Sequence, residues 1–576
     1  MLPLTSVRVV CRARPEICAL GHVEETINAF LDAAPVCTIA KAAALGSIRL
    51  LDCIAVFPAG LAVADPYYKQ AQFSAGMAFA AARGDLRIVQ WFVNFHPGGL
   101  VTKAVEEAAR HGRLRLRLAV QNNHEHVARW LQEHTKPPSR LKTIDLAAQN
   151  GNLELLKWLQ EHRSETSSSA AKKAAANGHL DVLRWLEKKR FCRKQGVSMD
   201  EAAANGHLHV LKWLHKYGYG VCTSRTMDAA AACNHLEVVK WLHRRFKEGC
   251  TSMAMDNAAA GGHLDMLKWL HAHRKEGCTT DAMDSAATNG HLAIVQWLHA
   301  NRREGCTTQA MDGAATNGHL RIVRWLHDHR FGGGCTAEAM DGAARNNFSN
   351  VVRWLHYYRK EGCTVAAMDD AAANNHLEMV QWLHFEQMEG CSTNAMDNAA
   401  GNGHLEMVKW LHECRSEGCT TKAMDQAAAG GHLEVVKWLH RNRAEGCTTA
   451  AMDGAAGNGK LHTLKWLHEH RSEGCTTAAM DKAAAGGHFD VLLFLHRERS
   501  EGCSMDAAVN ASRNEHVEIL QWFFHHSPRM VHREKVIVFA KRYNYYLMDW
   551  LHRTYQTTGE RTIFPDIESS FYLSPV

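Results

Sequence analysis

Between about residue 141 and residue 523, apolar positions recur in a fixed order: a stripe of small side chains, a polar turn, then a bulky stripe. The segment from Cys306 to Arg330 stands for the rest. Met311, Ala314 and Ala315 fall at i, i+3 and i+4, which predicts a short helix narrow enough to approach a neighbour closely. Thr307 or Thr308 supplies a hydroxyl to cap its N-terminus. Asn317-Gly318 ends it, glycine being the residue that takes a left-handed conformation without steric cost. Where that glycine is lost, Asn123, Asn234, Asn347 and Asn375 replace it, and asparagine is the next best left-handed residue. Only Glu515 breaks the rule. His319 then opens a second helix whose apolar face is Leu320, Val323, Trp325 and Leu326. Its place is taken near the N-terminus by Ser47, Asp85 and Asn152, all good N-caps, so the histidine reads as a core or capping residue. Acids two residues on (Glu237, Asp265, Glu378, Glu406, Glu434) suit the positive end of the helix dipole.

All 16 tryptophans sit in one phase of this repeat; from Trp158 onward the step is 28 residues, broken once by 27 and once by 29, and Phe494 fills the single missing beat. One short unit repeated many times excludes both a string of unrelated globular domains and a disordered chain. Each tryptophan is expected to be the large buried element of its layer, its truncation costing about 3–5 kcal/mol.

Residues that look like chemistry repeat in the same phase. Of 18 cysteines, eleven in phase from Cys222 to Cys503 form a ladder. Stacked layers lie about 8–10 Å apart, beyond the roughly 7 Å a disulfide tolerates. They are therefore expected to be reduced packing thiols, which places the chain in the cytoplasm or nucleus. A second histidine ladder follows Trp-Leu (His271, His299, His327). It lies eight residues from the first, about 80° away around a helix, and metal ligation is not expected. An arginine followed two residues later by Glu (Arg274 and Glu276, Arg302 and Glu304) reads as an ion-pair ladder, and the acids weigh against a phosphate-binding stripe.

Hydrophobic content of 46%, charged content of 22% and a net charge of +6 over 576 residues are ordinary. They do not supply the concentrated positive field that nucleic acids or anionic membranes select. No run of apolar residues is long enough to cross a bilayer, and the N-terminal MLPLTSVRVVCRARPEI lacks the apolar core of a secretory signal.

The string from Asn205 to His215, and still more Gly431-His-Leu-Glu-Val-Val-Lys-Trp-Leu439, resembles the second helix of the ankyrin repeat. The preceding Thr-x-Ala-Met-Asp-x-Ala-Ala is similar to that family's T-P-L-H-x-A-A signature, with Met-Asp for Leu-His and no proline. The resemblance covers about 37–552, and it extends to lineage-expanded ankyrin-like families of some microbial eukaryotes. It implies an all-α solenoid of about 17 stacked helix-turn-helix repeats. The unit is 28 residues against about 33, so the β-hairpins are expected to be shortened or absent. It also implies that the aspartate ladder (Asp284, Asp312, Asp341 and their equivalents) bonds backbone groups of a neighbouring unit.

Five segments are expected: a capping helix region at 1–36; degenerate repeats with insertions at 37–140, including an irregular stretch through Pro66 and an insert at Gly112–Leu118; the regular array at 141–523; a capping repeat at 524–552; and a tail at 553–576.

No phosphate loop, zinc-protease motif or nucleophile elbow is present. We expect no catalytic residue, no metal, no cofactor and a monomer. Function is sought where the repeat varies. Three residues before each aspartate and one after it share a face of the first helix, concave in the family resembled. There stand Arg225, Met253, Asn257, Asp281, Ser285, Gln309, Glu338, Asp370, Asn394, Asn398, Lys422, Gln426 and Lys482. Their mixed, polar character suits a protein or peptide partner, with no nucleic acid and no membrane. Drift on a solvated face is the plain alternative. A ubiquitin-ligase adaptor docking through residues 1–36, where Val23, Ile27, Phe30 and Leu31 are spaced along a helix, is the second functional reading.

Overall fold

The computed structural model describes residues 38–48, 50–52, 65–83, 85–95, 143–162, 169–190, 196–329, 334–386, 389–514 and 516–536. The capping region 1–36, the Gly112–Leu118 insert, Asn123, Trp130, Glu515, Trp550 and the tail 553–576 lie outside them. The chain forms two compact units. A central unit holds residues 115–427 and 434–446, and a terminal unit holds 1–114, 428–433 and 447–576.

The central unit is built of stacked helix pairs. In the Cys306 repeat they span Thr308–Thr316 and Leu320–Asp328. Ala310, Met311, Ala314 and Ala315 of the first helix and Ile322, Val323 and Leu326 of the second are buried, and the same positions are buried in the neighbouring repeats. Between the helices Gly318 has φ +80°, and Asn234, Asn347 and Asn375 hold φ of +61° to +63° at the same position. The His319 amide donates back to the Ala314 carbonyl at 2.8 Å, closing the turn that ends the first helix. Among the described residues strand is confined to Val197–Ser198 and Gly220–Val221, which pair in parallel between successive loops. The hairpins of a longer repeat are otherwise replaced by short Gly-Cys connections, and the fold is an all-α, ankyrin-like solenoid.

Two expectations need correction. Asn152 caps its helix, accepting the Leu155 amide at 2.9 Å, and Ser47 and Asp85 do likewise. The histidines that replace them do not cap: His319 makes no side-chain cap bond. Its ring lies instead beneath Gly290 of the preceding repeat, where an added Cβ would stand 2.7 Å from Cε1. Where such a ring finds an acceptor it is a carbonyl of that preceding repeat, as for His263 Nε2 with Ala232 O and His404 Nε2 with Ala373 O, both 3.1 Å. The imidazole thus staples layers rather than starting a helix.

The tryptophans are the second correction. Trp213, Trp354 and Trp522 are buried, but Trp241, Trp269, Trp297, Trp325, Trp382, Trp410, Trp438 and Trp466 are only half-buried. The leucine that follows each takes the deep slot. The indole sits at the layer edge, where the second-ladder histidine of the preceding repeat meets it edge-on: His243 on Trp269 at 5.3 Å and His271 on Trp297 at 5.2 Å. Truncation there costs less than full burial would imply.

The terminal unit combines the last repeats with three helices from the other end of the chain, Ile39–Ala44, Pro66–Arg83 and Leu86–Phe95. Pro66 begins a helix rather than closing an irregular stretch. Proline is tolerated at the first helical position, and Asp65 Oδ1 accepts the Tyr67 and Tyr68 amides at 2.9 and 3.0 Å. This helix is 18 residues long and lies against Phe489–Glu498 and Val517–His526. Tyr68 meets Phe489 edge-on at 5.7 Å, and burial, then Asp490, raises the Tyr68 phenol above its ordinary value.

Candidate functional site

From Thr251 onward, most first helices are fixed in register by the repeat before them. Asp284 Oδ1 accepts the Thr307 amide at 2.8 Å and Oδ2 accepts the Thr307 hydroxyl at 2.7 Å. That hydroxyl in turn accepts the Gln309 amide at 3.2 Å, capping the helix. The same relay joins Asp228 to Thr251, Asp341 to Thr364 and Asp397 to Thr420 in the central unit. It joins Asp453 to Thr476 and Asp481 to Ser504 in the terminal unit. The neighbour-bonding role that the resemblance implied for these aspartates is met. Burial holds Asp284, Asp312 and Asp341 above the ordinary carboxylate value, with the threonine bonds opposing it.

So anchored, each first helix turns alanine and methionine inward and presents one row outward. Arg225, Met253, Asp281, Gln309, Glu338, Asn394 and Lys422 are exposed, each just before a buried residue of the first-helix core. Glu338 is approached to 3.4 Å by Arg345 Nη1 from the far end of its own helix. These side chains form a mixed-charge row on the central unit.

The second row differs. Asn257, Ser285, Asp370 and Asn398 are half-buried, and Gln426 and, on the terminal unit, Lys482 are exposed. Asp370, Gln426 and Lys482 each stand against the residue four after the aspartate of the preceding repeat. Arg345 Nε donates to Asp370 Oδ2 at 2.7 Å. Gln426 covers Gly401, and Lys482 covers Gly457. Where that partner is threonine, the row holds glycine: Gly313 faces Thr288 and Gly342 faces Thr316, with no room for a Cβ. These partner residues were missed in the sequence, although large-against-small pairing at this spacing is visible there. Variation in this second row is partly dictated by packing.

The other ladders are structural. Cys250, Cys278 and Cys335 are free, buried thiols, and burial first, then a nearby glutamate, pushes each up to about 11. A thiol so shifted is protonated and unreactive near neutrality. Arg274 forks onto Glu276 within one loop, its Nε at 3.2 Å from Oε2, and its Nη1 donates to His243 Nδ1 at 3.3 Å. Arg359, Arg415 and Arg443 repeat that reach to His327, His384 and His412. These guanidinium groups are engaged by protein, which leaves little for phosphates. Among the described residues no group of three His, Cys, Asp or Glu side chains is placed to hold a metal ion, and no helix is long and apolar enough to cross a membrane.

Ankyrin-repeat family models match residues 144–225 and 368–453 (three copies) and residues 255–299 and 283–327 (many copies). No curated protein matches the chain. Among solved structures, the crystal structure of a pentatricopeptide repeat protein from maize is similar over 91% of this chain and 88% of that one, at 10% identity and a TM-score of 0.29.

Proposed function

Because this chain is an array of ankyrin repeats, a module that generally mediates protein–protein interaction, we propose that it is a non-enzymatic scaffold binding a protein or peptide partner along the outward row of its first helices. The observation that carries the proposal is the contrast within one helix. Asp281, Gln309 and Glu338 differ from repeat to repeat and are exposed, while the Ala-Met pair beside each is unchanged and buried. A scaffold varies where it reads a partner and repeats where it packs. Arg225, Met253, Asn394 and Lys422 extend the row on the central unit, and Asn257, Ser285, Asp370, Asn398 and Gln426 flank it. Lys482 holds the corresponding place on the terminal unit.

The row carries both signs of charge and few apolar groups, which suits a polar peptide surface better than a polyanion. The scaffold acts as a monomer in the cytoplasm or nucleus on this reading. The test is affinity capture of partners by the full chain, with mass spectrometry, beside a triple variant Asp281→Lys, Glu338→Lys and Lys422→Glu. The partner captured by the native chain is lost from the variant. A capture profile that the three reversals leave unchanged would sink the proposal.

A further inference from the structure

The outer face of the second helix neutralises itself in four repeats of the central unit. Glu154 pairs with Lys157, Glu237 with Lys240 and Glu406 with Lys409 at 2.7 Å, and Glu434 with Lys437 at 2.8 Å, each within one helical turn. Some other repeats lack the pair, as at His209 with Lys212 and Ala293 with Gln296, and two adjacent repeats combine its loss with arginine. Their acid positions hold Arg321 and Asn350, while the partner positions keep cations, Arg324 and Arg353. All four side chains are exposed, and none of the three arginines makes an ion pair among the described residues. Positive charge is left uncompensated here.

Aromatic side chains stand at the same place. Tyr357 is one turn beyond Arg353 on the same helix, Ser349–Tyr358, and is 69% exposed. Phe385 holds the equivalent position in the next repeat and is 79% exposed, and Tyr358 is 62% exposed. Other repeats put Arg244, Ala272, Ala300, Asp328 or Glu413 at the Tyr357 position. The rings are held without being covered. Tyr358 lies flat on Trp354 at 5.1 Å, and Tyr357 and Phe385 each meet the preceding histidine edge-on at 5.0 Å. Rigid exposed aromatics beside arginine are the side chains that dominate binding energy at protein interfaces, because little conformational freedom remains to be lost.

We propose that Arg324, Arg353, Tyr357, Tyr358 and Phe385 form a second docking surface, on the helix opposite the first-helix row, for a short acidic peptide carrying an apolar or aromatic anchor. The unpaired arginines select the acid, and the rings take the anchor. The surface is bounded by exposed Glu378 and Glu386 in the next repeat. An anion longer than these repeats would meet them, which disfavours a continuous polyanion such as a nucleic acid.

The test is fluorescence anisotropy of a labelled peptide with a Phe-Leu pair between glutamate runs, titrated with the full chain. Arg324→Glu with Arg353→Glu, and separately Tyr357→Ala with Phe385→Ala, each weaken binding by about tenfold or more. Replacing Phe-Leu in the peptide by Ser-Ser does the same, and Asp281→Lys on the first-helix row has no effect. Thermal melting of both double variants matches the native chain, since every substituted side chain is exposed. Absence of peptide binding, or binding by both double variants as tight as by the native chain, overturns the proposal. So does tighter binding of a single-stranded oligonucleotide that the same variants abolish.

Discussion

The carboxylate of Asp65 serves two helices at once: Oδ1 caps Pro66–Arg83, and Oδ2 accepts the indole N–H of Trp522 at 3.0 Å, across 457 residues of sequence. Among the described tryptophans Trp522 is the most deeply buried, at 1% exposure, and a buried donor without an acceptor is costly. Asp65→Asn retains an oxygen for the cap but turns an amide N–H toward the indole. We expect it to destabilise the terminal unit by about 1–3 kcal/mol. Trp522→Phe removes the donor together with part of a buried ring, leaves Asp65 Oδ2 unpaired and opens a cavity, so its effect is at least as large. Hydrogen exchange should accelerate together in residues 66–83 and 517–526. Acceleration confined to the first of these would mean that the bond does not tie the two segments.

The aspartate relay makes stability propagate in one direction. Removing Asp284 takes two bonds from Thr307 and frees the hydroxyl that caps the next helix, Thr308–Thr316. Asp284→Ala is expected to cost about 2–3 kcal/mol in urea unfolding, combining a lost cap with lost side-chain bonds. Exchange of the Gln309 amide should rise more than that of amides in the mutated residue's own helix. If the Gln309 amide exchanges at the native rate, the relay is not what holds the cap.

Acid should loosen the layers before it titrates the carboxylates. His207, His243, His376, His488 and His496 are all held below the usual imidazole value, burial being the first cause in each. At His243 Arg274 adds to this, because a guanidinium donating to Nδ1 requires a lone pair there. A folded value below the unfolded one, about 6.5, means that this stability is complete above about pH 6.5 and is lost as pH falls. The buried aspartates act with opposite sign: their folded values are raised, so their contribution grows as pH drops toward the unfolded value near 3.9. The histidine window comes first on acidification. Melting temperature should fall as pH drops below about 6.5. Calorimetric unfolding near pH 6, repeated in buffers of different ionisation enthalpy, should show net proton uptake. No uptake would remove the histidines from the stability of the stack.

The period, the helix pair, the left-handed turn at Gly318 and the cap at Thr307 were legible in the sequence because each depends on residues within one repeat. What escaped depends on the spacing between repeats. His319 looked like a helix start because position alone does not reveal that its ring reaches Gly290. Trp325 looked buried because size favours burial, yet Leu326 occupies the deeper slot. Contact of Asp65 with Trp522 could not be read from a pattern that has no such period. Leu493, standing where neighbouring repeats have Lys437 or Lys465, was its one trace: a buried apolar residue on an otherwise charged face.

The sharpest test concerns how much of the first-helix surface is free to evolve. Gly313 faces Thr288, whose hydroxyl is fixed by donation to the Asp284 carbonyl at 2.8 Å, and a Cβ on Gly313 would fall inside the radius of that oxygen. Gly313→Ala should therefore destabilise the chain by about 1–3 kcal/mol through overpacking. Alanine is intrinsically the better helix residue, by about 1 kcal/mol. With Thr288→Gly in place none of the three atoms nearest that Cβ remains, and adding Gly313→Ala should then stabilise by up to about 1 kcal/mol. The sign of one substitution is reversed by another in the next layer, a coupling that a double-mutant cycle reads directly. Gln426 over Gly401 shows the same constraint with the sizes exchanged. Strict additivity would mean that packing does not set this row. Its variation would then belong with that of Asp281, Gln309 and Glu338 as part of what the partner reads.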